Sequence, residues 1–136
     1  MRCATAADPA LDRLAQVLEV VGDVVLAIAF GSVVAGSAGA DSDVDVAVWT
    51  DPALTPERVR DLTRAIALVT GRPVDLIDLR SAGVALRREI LCHGRKLVDR
   101  DPSLRAHLIV RMLGDVEDLL PYIERMYRER RQRWTR

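Results

Sequence analysis

The residues with chemistry to offer fall close together in the chain. Gly31 and Ser32 close the apolar run Val24-Val25-Leu26-Ala27-Ile28-Ala29-Phe30. Ten residues later, Asp43-Val44-Asp45 opens a second run that continues Val46-Ala47-Val48-Trp49. Both runs are rich in β-branched residues and are expected to be strands, the first of them buried on both faces. Side chains alternate along a strand, so Asp43 and Asp45 share one face, about 6–7 Å apart along it. Carboxylates there repel each other and resist burial unless a cation or solvent compensates them. Oxygen-only donors of this kind suit Mg²⁺, which takes one or two carboxylates and shares the phosphate oxygens of its substrate. A third run, Pro73-Val74-Asp75-Leu76-Ile77-Asp78-Leu79, adds two more aspartates. Asp75 and Asp78 have opposite parity, so at most one of them can face the first pair.

The pattern Gly31-Ser32, ten residues, Asp43-Val44-Asp45 resembles the signature of the polymerase-β-like nucleotidyltransferases. The short length and the sequence after the motif narrow the resemblance to the minimal nucleotidyltransferase (MNT) branch, and within it to antitoxins that partner HEPN-domain toxins. It covers the chain from about Leu11 to Tyr127. The resemblance implies that the Gly31-Ser32 turn holds nucleotide phosphates, and that Asp43 and Asp45 hold two Mg²⁺ ions. It selects Asp75 as the third carboxylate, which binds one of those ions or acts as base towards the acceptor hydroxyl. In such a site, ions about 3.5–4 Å apart stabilise the attacking and leaving oxygens of an in-line displacement. The implied reaction is transfer of AMP from ATP to a tyrosine of a HEPN ribonuclease toxin, within a hetero-oligomer. One position departs from the family pattern: the arginine often found just before the second glycine of the turn is Ala35 here, before Gly36. A missing charge near the triphosphate leaves a rival reading, a binding module that neutralises its partner by occlusion. A second rival, a small-molecule nucleotidyltransferase of the antibiotic-modifying kind, is disfavoured because such enzymes usually carry an extra substrate domain.

The rest of the chain must position these residues. A length of 136 residues suits one domain with a core of its own. With 49% apolar and 29% charged residues it reads as a soluble globular protein. Its 20 basic and 20 acidic residues cancel, which argues against a wholesale polyanion binder and against direct nucleic-acid binding. Lys96 is the lone lysine, which reads as coding bias. Cys3 and Cys92 have neither metal spacing nor secretory context, so no disulfide is expected. No stretch has the length of a membrane span or the layout of a signal peptide, and the expected location is the cytoplasm.

Asp8-Pro9 starts a helix whose apolar stripe is Leu11, Leu14, Ala15, Leu18 and Val21. Residues 33–40 are small and Gly-rich, read as a short helix or turn leading into a loop. Thr55-Pro56 starts the next helix, with Val59, Leu62, Ala65, Ile66 and Val69 inward and Gly71 at its end. Arg58, Arg60 and Arg64 fall mostly on its solvated side. Ser81 is expected to cap a further helix ending at Gly94, and Lys96-Leu97-Val98 to be a short edge strand. Asp78 is assigned a strand-end or capping role.

Asp101-Pro102 opens a C-terminal extension, expected as two helices divided at Pro121. Residues 125–136 of that extension hold six arginines and one glutamate, suggesting a surface for an acidic partner. His93 and His107 are isolated, and no Gly-rich phosphate loop containing lysine is present. The expected fold is therefore α/β: a small mixed sheet of three or four strands backed by helices on one side. A minimal nucleotidyltransferase core spans 8–100, with the helical extension at 101–136.

Overall fold

The computed structural model describes residues 9–35 and 42–134, without the side chains at 35, 115–120, 122–123 and 133–134. Residues Met1–Pro102 make one compact unit and Ser103–Arg136 a second.

In the first unit, α1 (Pro9–Glu19) leads to β1 (Val24–Phe30), the single turn α2 (Ser32–Ala35) and β2 (Val44–Thr50). Helix α3 (Pro56–Thr70) crosses to β3 (Val74–Asp78), and α4 (Val84–His93) precedes β4 (Arg95–Asp99). The sheet order is β3-β2-β1-β4. β1 is antiparallel to both β2 and β4, whereas β2 and β3 are parallel, joined through α3. The sheet is therefore mixed, and the expected edge strand is β4.

Alternation along the strands divides the sheet into two faces. Val24, Ala27, Ala29, Val44, Val46, Val48 and Val98 share a core with Leu11, Leu14 and Leu18 of α1 and with Leu62 and Ile66 of α3. Truncating a side chain buried this completely, such as Leu14 or Ile66, costs about 2–5 kcal/mol. Helix α3 is well bounded. Thr55 accepts a hydrogen bond from Arg58 N–H at 3.1 Å, and Gly71 ends the helix in a left-handed conformation (φ 67°).

The opposite face carries Leu26, Ile28 and Ala47, which are also buried. The expectation of helices on one side only is thus corrected. Gly94, which ends α4, sits against the Ile28 side chain and the Ala29 carbonyl, too close for a Cβ. That approach brings α4 onto β1 from the second side. Beyond the end of β3, Arg87 donates to the carbonyls of Leu79 and Arg80, and Arg80 lies over the Trp49 ring at 4.1 Å.

Two helix boundaries differ from expectation. Gly83, not Ser81, precedes α4, and it supplies no side-chain cap. Ser81 belongs to the preceding turn, where its N–H donates to the Asp78 carbonyl at 3.2 Å. The second unit holds one continuous helix, α5 (Pro102–Trp134), instead of two, with Pro121 inside it. Proline removes one backbone donor, and because Pro121 is exposed, water can serve the carbonyl four residues earlier. The expected cap at Asp8, residues 36–41 of the Gly-rich stretch and Cys3 lie outside the described residues.

Candidate active site

The site is assembled where β1 ends and where β2 and β3 begin. β1 runs into the turn at Gly31, whose φ of 75° lies in the left-handed region. Ser32 then starts α2, which Val33 anchors by burying its side chain. Phe30 pairs with Asp45 across the antiparallel β1–β2 ladder, and Asp45 pairs with Asp75 across the parallel β2–β3 ladder. Three neighbouring strands thus place the Gly31 turn, Asp45 and Asp75 abreast. Asp43 lies just before β2 and is exposed, as is Asp75, while Asp45 is half-buried.

Gly31 is required for two reasons. Its backbone angle disfavours any side chain, and a Cβ there would collide with the Asp45 carboxylate. Only the first reason is legible in the sequence, because the second depends on the strand pairing.

Burial raises the pKa of Asp45 above the ordinary carboxylate value, and the negative charges of Asp75 and then Asp43 raise it further. The central carboxylate is therefore held in an unfavourable field. Such a set of hard oxygen donors in mutual repulsion fits a divalent cation like Mg²⁺. Among the described residues, no group of three or more His, Cys, Asp or Glu side chains is gathered closely enough to hold a metal by itself. Mg²⁺ does not need such a cage, since water and substrate phosphates usually complete its shell.

Asp78 stays apart from this cluster. It pairs with Val48 further along β2, and its Oδ1 accepts a hydrogen bond from Arg80 N–H at 3.0 Å. That is the strand-end role expected of it. His93 and His107 are exposed, as is the free thiol of Cys92. Arg58, expected on a solvated face, instead holds the Asp23 carboxylate through two hydrogen bonds of 2.8 and 2.6 Å.

The fold and this row of residues make up a candidate nucleotidyltransferase site. A family model described as polymerase beta, nucleotidyltransferase matches residues 12–103, and the chain belongs to that family. Among its relatives is the protein adenylyltransferase MntA of Shewanella oneidensis, 34% identical over 68 residues. That match takes in 50% of this chain and 49% of the relative, so it spans about half the length of each. The fold is similar to that of a solved toxin-antitoxin with AMP-PNP, at a TM-score of 0.71 and 22% identity, covering 89% of this chain and 95% of that one. It is also similar to the complex of tri-AMPylated Shewanella oneidensis HEPN toxin with MNT antitoxin. There the TM-score is 0.63 at 22% identity, over 85% of this chain and 96% of the other. Among the described residues, no helix is long and apolar enough to cross a membrane.

Proposed function

We propose that this chain is an antitoxin that transfers AMP from ATP to a tyrosine of a cognate HEPN ribonuclease toxin, silencing it. The observation that carries the reading is the row formed by the Gly31 turn, Asp45 and Asp75 across three strands. The relatives support the partner and the nucleotide, since one was solved with AMP-PNP and another with an AMPylated HEPN toxin.

In this reading the Gly31-Ser32 turn binds the triphosphate. The Ser32 hydroxyl is a donor for its phosphate oxygens. Asp43, Asp45 and Asp75 would hold Mg²⁺, which when bound neutralises charge at the phosphates and favours in-line displacement. The tyrosine oxygen bonds to the α-phosphorus, the bond from that phosphorus to the bridging oxygen breaks, and pyrophosphate leaves. Asp75, exposed on its strand, is the residue we assign as base for the tyrosine proton. Asp45 has the opposite task. Its raised pKa reflects a carboxylate poorly compensated by the protein alone, which favours cation binding together with nucleotide.

Ala35 favours one competing mechanism, neutralisation of the toxin by occlusion with little or no transfer. Labelled ATP separates the two. With chain, HEPN toxin and Mg²⁺ present, label at the α-phosphate should appear on a toxin tyrosine, and label at the γ-phosphate should leave as pyrophosphate. A silenced toxin carrying no α-label would establish occlusion.

A further inference from the structure

The second unit has a face that the chemistry above does not use. Along α5, Met126, Tyr127 and Arg130 recur at helical spacing, so they lie on one side of the helix. In the sequence, Ile123 and Trp134 continue the same spacing in both directions. Met126 is 53% exposed and Tyr127 58% exposed, far more than side chains of that size in a core. Exposed arginines Arg125, Arg128 and Arg131 flank the stripe, and Arg130 stands within it.

We infer that this face of α5 is a docking helix for a protein groove that is apolar along its floor and offers a carboxylate opposite Arg130. The inference rests on the antitoxin reading and names the surface through which the toxin is held. Amphipathic helices bind such grooves through anchors at i, i+3, i+4 and i+7, and tyrosine and arginine are frequent anchors of binding energy. Charge selects among the possible occupants. A second copy of this helix would set arginines against arginines, since residues 125–136 hold six of them and one glutamate. A lipid surface suits the basic rim, yet it would draw Arg130 into the hydrocarbon together with Met126 and Tyr127, which is costly. A carboxylate in a protein groove pairs with that guanidinium through two parallel hydrogen bonds.

The test uses the full chain, its Tyr127→Ala, Arg130→Gln and Arg130→Glu variants, and an Arg64→Gln control on α3. Affinity for the purified cognate HEPN toxin is measured at low and moderate salt, and ATP affinity in parallel to verify that the fold is intact. Tyr127→Ala and Arg130→Glu should each weaken toxin binding at least tenfold, and Arg130→Gln should flatten the salt dependence. Arg64→Gln and ATP affinity should not change. If the wild type binds toxin and all variants bind equally well, the docking inference fails while the antitoxin reading stands. If the wild type neither binds nor modifies the toxin, both fail. Self-association that Arg130→Glu strengthens, or sedimentation with phosphatidylserine vesicles that Tyr127→Ala abolishes, would also overturn this inference.

Discussion

The Asp45 carboxylate occupies the space where Gly31 would carry a Cβ. A residue that ends one strand and a residue that begins the next are thereby fitted to each other, through the pairing of Phe30 with Asp45. Gly31→Ala should fail on both counts, strain in the left-handed backbone and displacement of Asp45. We expect a stability loss of roughly 1–2 kcal/mol from the backbone alone, measured by urea unfolding. ATP binding should fall further than that loss of stability explains, because Asp45 moves. Wild-type ATP affinity in a folded Gly31→Ala protein would show that the fit is incidental.

The strained charge at Asp45 predicts a gain of stability when it is removed. Its folded-state pKa is raised by burial and by Asp75 and Asp43, so the folded protein holds this proton more tightly than the unfolded chain. The carboxylate therefore destabilises the metal-free fold at neutral pH, and protonation relieves the effect as pH falls. Asp45→Asn should melt above wild type at pH 7 without divalent ions, and the gap should close towards the acid side. Added Mg²⁺ and ATP should stabilise wild type and leave the variant nearly unchanged. A lower melting temperature for Asp45→Asn at pH 7 would contradict this.

Asp23 responds in the opposite sense. Its hydrogen bonds with Arg58 lower its pKa, with burial partly opposing them and the arginine charge assisting. The folded state thus holds this proton less tightly, so the stabilisation is present above the ordinary carboxylate pKa. It is lost as pH falls through the lowered value. The pair is partly exposed, with side-chain exposures of 25% for Asp23 and 36% for Arg58. Its contribution is accordingly small, about 0.5–1 kcal/mol. Asp23→Asn should cost that much at pH 7 in urea unfolding, and the cost should shrink as pH falls through the lowered value, with ATP affinity unchanged.

Most of the sheet was legible in the sequence because its strands are continuous apolar runs bounded by glycine, proline or aspartate. β1 begins and ends where the run Val24–Phe30 does, and α3 is capped by Thr55 and Gly71 as read. What remained hidden depends on contacts between distant segments. The pairing of Asp45 with Asp75 requires β2 and β3 to be parallel and in register, which spacing alone does not specify. Parity left Asp75 and Asp78 open, and only the family resemblance chose between them. Ser81 reads as a cap because it precedes an apolar run, but a serine there also suits a turn, the use made of it here. Pro121 reads as a break because helix propensity is local, whereas an exposed helix can lose one backbone hydrogen bond to water.

Ala35 supplies a further prediction. Ala35→Arg restores the charge that the family often places before the second glycine of its turn. It should tighten ATP binding about tenfold, equivalent to ~1.4 kcal/mol, the scale of one charge-assisted hydrogen bond. Calorimetry with ATP and Mg²⁺ measures it. Unchanged affinity would mean that another group already serves the triphosphate, or that the nucleotide does not bind beside this turn.

The central claim, silencing by chemistry at the Gly31–Asp45–Asp75 row, is tested most directly by intact mass spectrometry of the HEPN toxin. The toxin is incubated with ATP, Mg²⁺ and either wild type or Asp43→Asn/Asp45→Asn, and its ribonuclease activity is followed in the same samples. Wild type should add whole AMP increments to the toxin and abolish its ribonuclease activity. The double variant should fold and add no mass, and the toxin should stay active once the two proteins are separated. Silencing by wild type with no mass gained by the toxin, or equal mass gained with the double variant, would contradict the account.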